Sequence, residues 1–211
     1  MKELDLETWN RRKQFELYKN MDYPHVNVCA NVDITKFYEY IKEKEKPFFI
    51  SFVYVVSKVA NEIKEFKYRI RGNSVVEHET VNPSFTIMGQ DDVFNFCSTK
   101  FTYNFNEFVL NGLNEIEKKK NVVELEDDEV SDNCIFMTSI PWVSFTSMSH
   151  PIDMSPVDSI PRIAWGKYFK ENGSLKMPLS VQAHHAVVDG IHIGRYFERI
   201  EEILNNPKDN L

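Results

Sequence analysis

The chain has 211 residues, enough for one domain over residues 1–211 whose core needs neither disulfides nor a structural metal. Hydrophobic residues make up 42% and charged residues 27%, a globular balance that excludes a disordered chain, and 16 Phe with 9 Tyr imply an aromatic interior or cleft. The formal charge of -7, with the acidic run Glu124 to Glu129, excludes a strongly basic surface of the kind that grips nucleic acid.

Met1-Lys2-Glu3-Leu4-Asp5 lacks the apolar run of a signal peptide, and no apolar stretch approaches about 18 residues, so neither export nor a membrane span is expected. Thr8 is placed to cap a first helix that puts Phe15 and Tyr18 on one face. Asp33 precedes a second helix with Phe37, Tyr38 and Ile41 at helical spacing, closed by the run Lys42 to Lys46 and stopped by Pro47. From Phe48 to Phe66 the set Phe52, Val55, Val56, Val59 and Ile63 predicts a long helix.

Short β-rich runs follow at 68–70, 74–76, 84–88 and 93–97, with Gly72-Asn73 as a turn signal, so hairpins are expected. Asn106 to Lys120 predicts another helix, with Phe108, Val109, Leu113 and Ile116 on one stripe and a basic C-terminus. Residues 134–140 and 180–183 read as interior strands, whereas Ser149 to Pro161 holds three prolines and reads as a loop at a surface or cleft. The last helix, 193–204, aligns Ile193, Tyr196, Phe197, Ile200, Ile203 and Leu204. Cys29, Cys97 and Cys134 are far apart and lack C-x-x-C spacing, so they read as small buried hydrophobes in a reducing, cytoplasmic setting. The mixed order of elements indicates an α+β class, a mixed sheet covered by helices.

One constellation carries chemistry. A strand runs into His184-His185, and Asp189-Gly190 then turns the chain into a helix, which sets a histidine where it can project into a cleft. Neutral histidine accepts a proton near physiological pH and can deprotonate an attacking hydroxyl without a Ser or Cys nucleophile. A satisfied core feature, a turn without chemistry and a metal site with Asp189 remain open beside that reading. Metal is disfavoured because adjacent residues of a strand face opposite sides, and neither His192 nor His78 adds a ligand spacing.

The segment Ser180-Val181-Gln182-Ala183-His184-His185-Ala186-Val187-Val188-Asp189-Gly190-Ile191-His192 resembles the active-site signature of the chloramphenicol acetyltransferases. The resemblance extends through Trp9-Asn10-Arg11-Arg12, Phe15-Glu16-Leu17-Tyr18, Val32-Asp33-Ile34-Thr35, Val81-Asn82-Pro83-Ser84-Phe85-Thr86 and Ile140-Pro141-Trp142-Val143-Ser144-Phe145-Thr146-Ser147. It spans roughly residues 8 to 205. The shorter H-x-x-x-D-G core is shared with dihydrolipoyl acyltransferases and condensation domains, and the flanking matches select the smaller family.

The resemblance implies a coenzyme A-dependent acyltransferase fold, acetyl-CoA as co-substrate, chloramphenicol as hydroxyl acceptor, no metal, and a homotrimer with active sites between subunits. By similarity His185 is the general base, its other ring nitrogen fixed by a backbone carbonyl, and His184 is structural. Asp189 pairs with Arg11 rather than relaying charge to the histidine. Thr138 stands where the family has the serine that donates to the oxyanion, with Ser139 as the fallback donor. Tyr18 and Phe96 match the acceptor site, Leu17 replaces a frequent aromatic residue, and His150 stands in place of an apolar one. Ala164 replaces a threonine that supports the oxyanion through water, and Lys167 matches a lysine near the coenzyme A phosphates. These departures bear on the acceptor more than on the reaction, and they leave open a related acyltransferase with a different hydroxyl acceptor or a non-catalytic ligand-binding relative.

Overall fold

A computed structural model describes residues 1–89, 92–120, 131–155 and 158–211; the acidic run 124–129 lies outside them. After a two-residue strand, β1 (Lys2–Glu3), the first helix is α1 (Arg12–Tyr18). It begins four residues beyond Thr8, because the Thr8 hydroxyl is spent on Asp5, at 2.9 Å from the carboxylate. Phe15 is buried and Tyr18 half-buried.

A nine-residue strand, β2 (His25–Asp33), leads into α2 (Thr35–Glu43), where Asp33 accepts from the Thr35 amide and hydroxyl at 3.0 and 2.6 Å. Pro47 starts the next helix, α3 (Phe48–Glu62), which is buried nearly all round from Ile50 to Asn61. This helix stops short of Phe66: Ile63 is extended, and a 3-10 turn at Lys64–Lys67 lays Phe66 flat on Tyr196 at 4.7 Å. The expected hairpins form, β3 (Tyr68–Arg71) with β4 (Ser74–Glu77), and β5 (Asn82–Met88) with β6 (Phe94–Ser98). Gly72 takes the left-handed conformation, φ +61°, that the first of these turns requires. Then come α4 (Phe105–Lys119), capped by the Asn104 side chain, and β7 (Cys134–Ile140). The chain ends with β8 (Arg162–Gly166), β9 (Phe169–Glu171), β10 (Ser174–His184), α5 (Gly190–Asn205) and the short α6 (Pro207–Asn210).

The larger sheet has the order β2-β10-β8-β7-β5-β6, with β9 paired to β10; β5, β7 and β8 run parallel and the remaining pairs antiparallel. β1, β4 and β3 form a second, small sheet. One face of the large sheet presents Phe85, Met137, Ile163, Trp165, Leu179 and Val181 to α3 and its neighbours; all six are buried. Register fixes what the other face presents. One row aligns Ser84, Phe136, Arg162, Gln182 and Asn27, and the next aligns Thr138, Ala164, Ser180 and Cys29. That polar face is where the candidate chemistry lies. Cys97 and Cys134 are buried as expected, but Cys29, on the edge strand β2, is only half-buried. Among the described residues no helix is long and apolar enough to cross a membrane.

Candidate active site

β10 carries His184 beside His25 of β2, and the chain then leaves the sheet in a tight turn: the amides of Val187 and Val188 both close on the His184 carbonyl, at 3.1 and 3.0 Å. The His185 amide donates to the Pro24 carbonyl at 2.8 Å, fixing where its side chain departs. His185 Nδ1 lies 3.1 Å from the Val188 carbonyl. A carbonyl can only accept, so Nδ1 holds the ring hydrogen and Nε2 carries the lone pair. The ring stacks on Tyr18, with centroids 4.1 Å apart and planes 15° from parallel.

Asp189 caps α5 and holds the same group from the other side. One carboxylate oxygen makes an ion pair with Arg11, and Oδ1 lies 3.1 Å from His185 Nδ1. Arg11 is 7% exposed and is therefore not a solvated helix charge; its Nη2 also donates to the His185 carbonyl at 3.3 Å. Burial by itself raises the Asp189 carboxyl, but the hydrogen bond and charge of Arg11 outweigh it and hold the carboxyl below its ordinary range. Asp189 thus touches both Arg11 and the histidine, where the resemblance gave it to the arginine alone.

His184 is fully buried, with Nδ1 accepting the Ala186 amide at 3.2 Å. Burial, followed by the charge of His25, pushes its imidazole down to about 4. Its ring meets His25 edge-on at 4.9 Å. No group of three or more metal-ligating side chains is assembled among the described residues.

On the polar face of the sheet lies a cavity of about 1150 Å³, lined by Ser84, Thr86, Phe94, Phe96, Phe136, Thr138 and Arg162 from the strands and by His150, Pro151, Asp153, Asp158, Ser159 and Ile160 from the proline-rich loop. Thr138 and Phe136 point into it together, as alternate residues of one strand must. Ser139, the fallback donor, pairs with Trp165 and turns to the helix-covered side. His150 is fastened by Gln182, whose Oε1 accepts from its amide at 2.8 Å and lies 3.3 Å from its Nδ1. Arg162 pairs with Asp158 and stands 5.1 Å over the Phe136 ring.

Ala164 is buried next to Thr138 and does not line the cavity, Leu17 is 59% exposed, and Lys167 is exposed at the end of β8. Tyr18 and His185 do not line this cavity either, although Lys19 and Asn20 form part of its rim. A single chain therefore holds His185 and the Thr138 cavity as two separate surfaces.

A family model described as "Chloramphenicol acetyltransferase" matches residues 1–201. The chloramphenicol acetyltransferase of Clostridium perfringens is 33% identical over 206 residues, covering 96% of this chain and 94% of that one. The chain belongs to the chloramphenicol acetyltransferase family.

Among solved structures, a chloramphenicol acetyltransferase superposes with a TM-score of 0.86 at 24% identity, covering 97% of this chain and all of the other. The dihydrolipoamide acetyltransferase of Azotobacter vinelandii follows at 0.68 and 16% identity, over 94% of this chain and 88% of that one. Both share the fold, and the second shows that the architecture extends beyond one family, as the H-x-x-x-D-G core suggested.

Sequence reasoning did not pick out Thr86, Phe94 or Phe136 as cavity residues. Their signal was available: Thr86 follows Ser84, Phe96 follows Phe94 and Thr138 follows Phe136 at a spacing of two, so each pair shares a strand face. Nothing local says that three such faces meet.

Proposed function

We propose that this protein transfers acetyl from acetyl-CoA to the primary hydroxyl of chloramphenicol, with His185 as general base, and so confers resistance to the drug. The observation that carries the reading is the commitment of His185 Nδ1 to the Val188 carbonyl, which leaves the lone pair on Nε2. Nε2 removes the hydroxyl proton as the oxygen attacks the thioester carbon. The tetrahedral oxyanion takes a hydrogen bond from Thr138 Oγ1. Its collapse breaks the carbon–sulfur bond, and the imidazolium returns its proton to the departing thiolate. Asp189 and Arg11 hold the imidazole and its backbone in place throughout. No acyl-enzyme forms.

In this reading the enzyme is a cytoplasmic homotrimer, and the His185 of one subunit faces the Thr138 cavity of its neighbour. The separation of the two surfaces within one chain supports that arrangement. Tyr18 and Leu17 then flank the acceptor from the histidine side, Phe96 and His150 enclose it from the other, the small Ala164 leaves room behind Thr138, and Lys167 meets the coenzyme A phosphates. A different hydroxyl acceptor is the second reading, favoured by the imidazole of His150 and the Arg162–Asp158 pair in the cavity wall.

The test is thiol release from acetyl-CoA, with and without chloramphenicol, by the wild type and by His185→Ala. Drug-dependent release that disappears in the variant is expected. Release on another alcohol but not on the drug would select the second reading, and full activity in His185→Ala would remove the histidine from the mechanism.

A further inference from the structure

His192 occupies the third position of α5, one turn beyond the capping Asp189. Its Nδ1 accepts the Asp189 backbone N–H at 2.9 Å, while the Asp189 carbonyl accepts the His192 N–H at 3.0 Å. At this position of a helix start the residue that reaches back is usually Glu or Gln. Histidine supplies the same acceptor with no charge. On its far side Nε2 lies 3.5 Å from a carboxylate oxygen of Glu65, in the 3-10 turn after α3, and the side chain is only 8% exposed. Because Nδ1 accepts, the ring hydrogen sits on Nε2, toward Glu65. Burial lowers the imidazole more than Glu65 raises it, so the ring is neutral at neutral pH.

We propose that His192 is a positioning residue for acetyl transfer: it pins the Asp189 backbone so that the carboxylate stays shared between Arg11 and His185. Its neutrality is part of the role. A glutamate here could accept the same amide but would set a further carboxylate between Glu65 and Asp189, competing for Arg11 and drawing it off the His185 carbonyl. The link from His192 to His185 runs through one residue only. Asp189 joins the amide that His192 holds to the carboxylate oxygen 3.1 Å from His185 Nδ1. The inference rests on His185 being the base.

Three variants of the full assembled enzyme separate this from simple helix capping: His192→Gln, His192→Glu and His192→Leu. Partners that orient a metal-bound histidine typically carry about 10- to 100-fold in affinity or activity, and that range sets the scale for a partner that orients a histidine base. His192→Gln, neutral and able to accept, is expected to keep kcat within about threefold of wild type by that measure. His192→Glu sets a buried carboxylate against Glu65 and is expected to be less stable than the Gln variant, yet at temperatures where both are fully folded to lose about tenfold or more in kcat, with KM for both substrates little changed. His192→Leu should lose kcat to a similar extent. Equal kcat in the Gln and Glu variants would overturn the proposal, because capping alone predicts it. So would a loss in every variant that follows only the fraction folded. Should the Leu protein not fold, the Gln–Glu comparison decides by itself.

A readout without turnover keeps the two conclusions apart. In 15N-histidine spectra the His185 ring nitrogens should shift in the Glu variant and stay put in the Gln variant. If the wild type transfers no acetyl but that pattern holds, the proposed function fails while the hold of His192 on the Asp189–His185 pair stands; unmoved His185 resonances in the Glu variant would sink that hold and the positioning role with it.

Discussion

A general base needs a lone pair facing its substrate, and at His185 the Val188 carbonyl settles which nitrogen has it. Truncation to alanine leaves the backbone bond to Pro24 intact, so His185→Ala should fold and assemble as wild type. General-base catalysis typically supplies about 10²- to 10⁴-fold, so its kcat for acetyl transfer should fall at least that far. Thr138 is the companion case. Losing one oxyanion donor costs about 10²–10³ in kcat, so Thr138→Ala should fall by that amount with KM nearly unchanged, whereas Thr138→Ser keeps the hydroxyl and most of the rate. Steady-state kinetics on the three proteins checks both statements.

The Asp189 carboxyl is held below its ordinary range in the folded protein, so its ionisation contributes stability above the unfolded value and loses it as pH falls through the folded one. Asp189→Asn should therefore be less stable than wild type at pH 7, and the gap should close below about pH 4. His184 works in the acid range too. It is neutral when folded down to about 4 but takes a proton near 6.5 when unfolded, so stability should decline as pH falls from about 6.5 to about 4. Chemical denaturation across that range should show a shallower decline in His184→Asn, which keeps an acceptor for the Ala186 amide and removes the titrating ring.

At the scale of elements, the turn from β10 into α5 and the close of β8 do most to place the chemistry. Gly166 ends β8 where an added Cβ would lie 2.6 Å from the Val143 carbonyl and 2.8 Å from Pro178, with the Lys167 amide bonded to that same carbonyl at 2.9 Å. Neither backbone nor ring can give way cheaply. Gly166→Ala should lower stability by about 1–3 kcal/mol, or several degrees in Tm for a chain of this size, measured by calorimetry. It should also raise KM for acetyl-CoA if Lys167 meets the phosphates.

Most helices were legible, because α3, α4 and α5 carry apolar stripes that need no partner to be recognised. Their ends were less so: α1 starts beyond Thr8, and α3 yields to the stacking of Phe66 on Tyr196. β8 escaped notice for a different reason. Its five residues, Arg162 included, are buried on both faces, so neither alternation nor an uninterrupted apolar run marks it.

At the scale of the whole molecule, His185 and the Thr138 cavity do not share a wall within one chain, and the proposed trimer with shared sites predicts complementation. Mixed trimers assembled from His185→Ala and Thr138→Ala subunits in equal amounts should regain about a quarter of wild-type activity, since in a cyclic trimer one interface in four then joins an intact histidine to an intact threonine. Activity no higher than that of the separate variants, in trimers shown to have exchanged, would place both groups of each site in one chain.

By itself the sequence determined the α+β class, the long helices, and the strand–turn–helix that carries His185 and Asp189. Those signals are periodicity, capping and a motif, each written in consecutive residues. Only the tertiary structure decided that Arg11 is buried on Asp189 rather than solvated, that Asp189 also reaches His185, that Ser139 faces the helices while Thr138 faces the cavity, and that His192 Nδ1 accepts the Asp189 amide. The first and third depend on burial or strand register between residues far apart in the chain, and the second and fourth on how the turn after β10 is folded. Arg11 and Asp189, 178 positions apart, meet only once the sheet is complete.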